Sequence, residues 1–159
     1  METNPTPADN SYLISTDPAK LDLPLIHRYL SQESYWAQNI PLELVERSIR
    51  HSLCFGVYHQ HQQIGFARLV TDRATFAYLA DVFILSAHRG KGVSKQLMAY
   101  IHAYPEVQGL RRWLLGTKDA HGLYARFGWK PIPEEQVSRF MQLHNPDVYR
   151  GRTEEQTNR

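Results

Sequence analysis

The sequence predicts a mixed α/β fold, with one mostly antiparallel central sheet and helices on its faces. Three observations carry that prediction. Short apolar runs rich in β-branched and aromatic residues recur from Tyr12 onward. Helical spacing replaces them at 21–30, 42–52, 93–104 and 120–127. One apolar run feeds a helix that leads to another apolar run, a crossover long enough to pair its two strands in parallel, whereas the earlier runs are joined by turns that make antiparallel hairpins. At 159 residues with 42% hydrophobic content, the chain suits one domain that buries a core.

Residues 1–10 are polar and carry Pro5 and Pro7, so a flexible arm is expected there. A short strand at 12–16 meets Asp17-Pro18, which turns the chain into a first helix at 21–30. Leu23, Ile26, Tyr29 and Leu30 share one face of it, and Pro24 stands in an early turn, where its missing N–H does least harm. Ser34-Tyr35-Trp36 follows as a loop, whose adjacent aromatics either pack over the core edge or line a pocket. Pro41 opens a second helix at 42–52, with Leu44, Val45, Ser48 and Ile49 inward and Glu43, Glu46, Arg47 and Arg50 outward.

Residues 54–59 and 64–71 are strands around the polar turn 59–63. His59 and His61 alternate like a metal pair, but no third ligand stands nearby and a solvated turn accounts for them, so no metal is expected. The run 79–85 is a buried central strand, Pro105 stops the helix that follows it, and 111–117 is the next strand. Ala120, Leu123, Tyr124 and Phe127 share a helical face that Gly128 closes. A last strand is expected at 137–143, around Phe140, Met141 and Leu143. Residues 148–159 are polar and charged and read as a disordered tail, which leaves 11–147 as the domain.

Composition narrows the function classes. The formal charge of +2 is spread along the chain without a Lys/Arg block, so nucleic acid is not the leading partner. The start lacks the basic and apolar segments of a signal peptide, and no window is long enough to span a bilayer. The lone cysteine, Cys54, cannot form an internal disulfide and suits a reducing compartment, so a cytoplasmic protein without membrane partners is expected.

The most informative stretch is the turn Arg89-Gly90-Lys91-Gly92 between the central strand and its helix. Two glycines let successive N–H groups converge at the positive end of the helix dipole, a site suited to phosphate, with Arg89, Lys91 and Lys95 adding positive charge. A Walker A loop and a dinucleotide fingerprint are both excluded by spacing. What fits is the acyl-CoA signature Arg/Gln-x-x-Gly-x-Gly/Ala, met by Arg89-Gly90-Lys91-Gly92-Val93-Ser94 with serine in the last position. A second pattern, Asn-x-x-Ala-x-x-Leu-Tyr-x-x-x-Gly-Phe, is matched by Thr117, Ala120, Leu123, Tyr124, Gly128 and Trp129, with Thr117 in place of asparagine and Trp129 in place of phenylalanine.

The chain thus resembles the GNAT family of N-acetyltransferases over residues 12–143. The resemblance implies a sheet of six to seven strands, a splayed fourth and fifth strand pair, and about four helices. It also implies acetyl-CoA as co-substrate, held by Val82, Phe83, Ile84, Arg89, Gly90, Lys91, Gly92, Val93, Ser94, Lys95 and Thr117. A β-bulge near Val82 to Ile84 would turn amides towards the acyl carbonyl, where an oxyanion develops.

By the same resemblance Tyr124 is the general acid for the departing thiolate, against a plain reading as a core tyrosine. Asp81, an acid in an apolar strand, is either the base or water-orienting group for the amine, or a structural residue paired with Arg68. Tyr35, Trp36, Arg68 and Tyr78, with Tyr58 and Phe140, are expected around the acceptor, where aromatics favour an aromatic or alkyl amine and Arg68 an acceptor with a carboxylate. The expected function is N-acetylation of a small-molecule amine by direct transfer in a ternary complex. The alternatives are a protein or peptide acetyltransferase, a silent acyl-CoA-binding module, and nucleotide or nucleic-acid binding through the glycine turn. A homodimer is common among proteins of this kind, but no interface patch is legible.

Overall fold

The structure, a computed structural model, describes residues 11–150. The predicted arm at 1–10 and residues 151–159 of the predicted tail lie outside the described residues. Five strands form one sheet: β1 (Leu13–Ser15), β2 (Leu53–His59), β3 (Gln62–Thr71), β4 (Phe76–Ile84) and β5 (Arg112–Leu115), in that spatial order. β1 to β4 pair antiparallel. β4 and β5 run parallel, and the crossover that parallel pairing demands is helix α3 (Val93–Ala103).

Alternation along the strands divides the core into two layers. Phe55, Leu69 and Leu79 face Val93, Leu97 and Ile101 of α3 on one side. On the other, Cys54, Phe66 and Phe83 face Ile26 of α1 (Leu23–Arg28) and Val45 of α2 (Leu42–Arg50). α1 begins where Asp22 accepts a hydrogen bond from the Leu25 N–H at 3.1 Å, with Pro24 in the first turn. It continues into a π-helical turn over Tyr29–Glu33, closed by Ser34 N donating to Tyr29 O at 2.9 Å. That wider turn lays the Tyr29 ring flat on Phe83, centroids 3.9 Å apart.

The expected sixth strand is not formed. Within 137–143, Val137 ends a short helix, α5 (Glu134–Val137), whose first turn carries Glu134 and Glu135 at the favourable end of the dipole. Phe140 N then donates back to Val137 O, and Met141 and Leu143 stand in solvent. Among the described residues the sheet therefore has five strands rather than six to seven, and α-helices number five, α4 (His121–Ala125) included. No helix among the described residues is long and apolar enough to cross a membrane.

Candidate active site

The site begins with a fault in β4. Phe66 faces Phe83 across the β3–β4 pair, but Arg68 faces Ala80, so β4 holds one residue more than β3 over that interval. The bulge lies where Asp81 takes φ +55°, a left-handed conformation that Asp tolerates better than most residues. On the other edge of β4, pairing with β5 stops at Leu79–Leu115, so the two strands part just before the bulge. This is the splay that the resemblance implied. Leu85 N donates to Ile64 O at 2.8 Å, and alternation from there turns the N–H groups of Ile84 and Val82 towards the gap and that of Phe83 towards β3.

The gap opens into a cavity of about 890 Å³ lined by residues from α2, β3, β4, β5 and α4. Asp81 stands in it with both carboxylate oxygens engaged: Oδ2 accepts from Arg68 Nε and Oδ1 from Trp36 Nε1, each at 2.8 Å. Arg68 also donates to Ser52 Oγ at 3.1 Å. The pairing with Arg68, one of the two roles foreseen for Asp81, is therefore made, and each carboxylate oxygen keeps a second acceptor position.

Trp36 is aimed by its loop. Buried Ser34 donates from Oγ to Leu30 O at 2.6 Å and accepts from Ala37 N at 3.1 Å, while His27 Nε2 bonds Ile40 O at 2.9 Å. Tyr35 packs edge-on against Trp36, and its hydroxyl accepts from Lys118 N at 2.9 Å across the cavity mouth. Tyr35, Trp36, Arg68 and Tyr78 all line the cavity. Tyr58 and Phe140 are not brought there. Tyr58 is sealed in β2 with its hydroxyl unpartnered among the described residues and its pKa pushed up to about 12, mainly by burial, and Phe140 and the Arg112 guanidinium stack at 4.7 Å.

Tyr124 enters the same cavity from α4. Its ring is buried against the α3 layer, and its hydroxyl has no hydrogen-bond partner among the described residues. Burial first, then the neighbouring Tyr35 and Asp119, raises its pKa, so the phenol stays protonated at neutral pH. Thr117, where the family pattern has asparagine, accepts from Ala120 N at 3.0 Å and so caps the turn into α4 while lining the cavity.

The glycine turn lies at the start of α3. Gly90 and Gly92 both take φ +76°, where a side chain would be strained. The first α-helical bond there runs from Gln96 N to Gly92 O, which leaves the N–H groups of Val93, Ser94 and Lys95 without a partner inside the helix. Lys91 and Lys95 are exposed beside them. Arg89, expected to add positive charge at the turn, is held in place: Nε donates to Ile84 O at 2.9 Å and Nη2 to Tyr29 Oη at 3.0 Å, which ties the turn to the end of β4 and to Tyr29. His88 bonds Tyr12 through Nδ1 at 3.0 Å.

Sequence reasoning missed further residues on the cavity wall. Arg47, His51 and Lys118 have no motif to mark them, and Tyr149 falls in the predicted tail yet lines the cavity with His144. Only their shared wall identifies them.

A strand pair opening onto an acid and a tyrosine, beside a glycine turn at a helix start, defines an acyl-transfer type of site. The family model described as an acetyltransferase (GNAT) domain matches residues 50–131, which hold the gap, the turn and Tyr124. A protein of Gibberella zeae assigned as an acetyltransferase is 33% identical over 137 residues, covering 72% of this chain and 76% of that one. A crystal structure from Xanthomonas campestris pv. campestris, assigned as a GNAT acetyltransferase, is 51% identical with a TM-score of 0.85 over 88% of this chain and 97% of that one. A GNAT acetyltransferase from Elizabethkingia anophelis, solved with acetyl-CoA bound, is 14% identical at a TM-score of 0.56 over 74% of this chain and 75% of that one, and shows the fold alone. The chain belongs to the GNAT family of acetyltransferases.

Proposed function

We propose that this acetyltransferase moves the acetyl group of acetyl-CoA directly to the primary amine of a small molecule, in a ternary complex. The observation that carries the reading is that one cavity, of about 890 Å³, holds both Asp81 and Tyr124 where β4 and β5 part. Its size falls within the range of roughly 300–1,000 Å³ usual for small-molecule sites.

The residues present fit the co-substrate. Side chains built at Gly90 and Gly92 would meet nothing within 4 Å, so the turn is open on its outer side, with three free helix N–H groups and two exposed lysines around it. Val93, Ser94 and Lys95 would hold the pyrophosphate through their N–H groups, Lys91 and Lys95 through charge, and Thr117 would line the path to the acyl end. Acetyl-CoA, when bound, supplies a thioester-activated acyl group. The N–H groups of Val82 and Ile84 face the gap as donors fixed before reaction. Tyr124, protonated and without a hydrogen-bond partner among the described residues, donates its hydroxyl proton to the leaving sulfur. Asp81 uses its remaining acceptor positions to orient the incoming ammonium and take its proton, directly or through water.

Tyr35, Trp36 and Tyr78 give the cavity aromatic walls. Arg68 is already paired with Asp81, which removes the reason to expect a carboxylate on the acceptor and favours alkyl or aromatic amines. A cytoplasmic setting accords with the buried, unpaired Cys54 thiol.

The test is thiol release from acetyl-CoA across a panel of alkyl, aromatic and poly-amines, amino acids, aminoglycosides and short peptides, with Tyr124→Phe as control. Turnover on small amines that the variant loses supports the reading; turnover on peptides alone overturns the small-molecule assignment. The engagement of both Asp81 oxygens favours one second reading, a silent acyl-CoA-binding module. Tight acetyl-CoA binding without turnover on any amine would establish it.

A further inference from the structure

Among the described residues β5 has no strand partner on its outer edge, and a second cavity of about 850 Å³ lies there. The chain after α4 is unable to close that edge. Trp129 is tied down, its N–H to Tyr124 O at 3.3 Å and its indole to His102. The next stretch, Lys130-Pro131-Ile132-Pro133, holds two prolines, which have no N–H to give to a strand ladder, so it runs on to α5 without pairing to β5. Trp113, Leu115, Trp129, Pro131, Ile132 and Pro133 make the walls mostly apolar. Arg112 and Lys130 also line the cavity and, among the described residues, no Asp or Glu does, so it suits an uncharged chain and not an ammonium.

This cavity is continuous with the first. Leu115, Gly116, Thr117 and Tyr124 line both, at the place where β5 leaves β4 and the proton donor stands. Anything that enters the second cavity from the active site therefore passes Thr117 and Tyr124.

We propose that the second cavity takes the carbon chain of the donor's acyl group, so that the enzyme transfers acyl chains longer than acetyl, hexanoyl and octanoyl among them, from CoA to the same amine. The inference rests on the acyl-CoA reading of the site and not on which amine accepts. Around the carbonyl carbon under attack three directions are already assigned. The oxygen faces the Val82 and Ile84 N–H groups of β4, the sulfur faces Tyr124, and the amine comes from the side of Asp81 in the first cavity. The chain takes the fourth direction, away from β4, which leads past Thr117 of the β5 side into the second cavity. The step balances as it does for acetyl. The amide C–N bond forms and the C–S bond breaks; of the two protons the ammonium loses, one leaves by Asp81 for solvent and the other balances the one Tyr124 gives to the sulfur. Each methylene buried along the apolar walls tightens binding by up to about fourfold.

Calorimetry of the full chain with acetyl-, butyryl-, hexanoyl- and octanoyl-CoA tests this without an acceptor. Hexanoyl-CoA is expected to bind at least about tenfold tighter than acetyl-CoA. Gly122 of α4 lines the second cavity and not the first, and a side chain built there meets nothing within 4 Å, so Gly122→Phe should fill the space. That variant should keep the affinity for acetyl-CoA and lose the gain from the longer chains. Ala125→Trp, one helical turn further along the same wall, replaces it if it fails to fold. Equal affinities along the series in the wild type, or a gain with chain length that survives in both variants, overturn the proposal and leave acetyl-CoA as donor. Failure to bind acetyl-CoA at all overturns the donor reading and this inference with it. In the thiol-release panel, a gain that follows the alkyl length of the amine and not that of the thioester assigns the cavity to the acceptor and overturns the proposal as well.

Discussion

Asp81 combines a left-handed backbone with an ion pair, so its substitutions separate two effects. Asparagine tolerates positive φ and keeps an oxygen for the Trp36 indole, but carries no charge. Alanine relieves nothing and leaves Arg68, 19% exposed in its side chain, facing an empty site. Breaking a sealed pair costs 3–5 kcal/mol, so Asp81→Ala in this partly open one should lose about 2–4 kcal/mol in urea unfolding. Asp81→Asn should lose less than that, keep acetyl-CoA affinity in calorimetry, and still turn over more slowly. Equal losses of stability in the two variants would mean that the ion pair contributes little. For Tyr124→Phe the expected loss in kcat is about 10²–10⁴, the usual range for a positioned acid, with acetyl-CoA affinity unchanged. Because burial raises the Tyr124 pKa above the ordinary 10.0, the wild type should not lose this acid on the alkaline side until beyond pH 10, as a kcat profile would record.

At the scale of elements, two junctions hold the site in place. The first is the turn into α3, where Gly92 at φ +76° caps the helix. Gly92→Val places a β-branched residue in the left-handed region at a cost of about 1–2 kcal/mol. It should lower Tm and weaken acetyl-CoA binding while circular dichroism stays native. The second junction ties the end of α3 to the chain after α4: Trp129 Nε1 donates to His102 Nε2 at 2.9 Å, and His102 lies among Trp113, Phe127 and Trp129. The imidazole accepts there, so it is neutral with its proton on Nδ1, and burial holds its pKa below the ordinary 6.5. The unfolded chain then binds the proton more readily than the folded one. Stability from this group is complete above about pH 6.5 and is lost as pH falls through the lower folded value. His88 shifts in the same direction, through burial, His59 and Lys91, so the measurement has to be a difference. His102→Gln keeps an acceptor for Trp129 but does not titrate, and the wild type should lose more Tm than this variant between pH 7 and 5.

For the molecule as a whole, what was legible in the sequence was local. The turn at Arg89–Ser94 and the helix face of Tyr124 each follow from a few adjacent residues whose spacing or backbone preference has one good outcome, while a bulge in the central strand was foreseen only through the family resemblance. What was not legible depends on distance. Trp36 reaches Asp81 across 45 positions, Arg89 turns inward to Tyr29 across 60, and the apolar content of 137–143 is compatible with a strand until Glu134 and Glu135 start a helix and Val137 is drawn into its end. The same division raises the question of whether the two core layers, one on each face of the sheet, unfold together. Cys54 can answer it, because it is 6% exposed in the layer under α1 and α2, and burial foremost pushes its thiol pKa up to about 12. If the layers are one cooperative unit, Cys54 reacts with a thiol reagent only through global unfolding. For a domain stable by at least about 5 kcal/mol, that makes labelling on the order of a thousandfold or more slower than in the unfolded chain. Labelling and far-UV circular dichroism should then share one urea midpoint. Labelling that runs ahead of circular dichroism, while Trp113 and Trp129 fluorescence in the α3 layer stays native, would show that α1 and α2 open first and would place the acceptor side of the cleft on the less stable half of the fold.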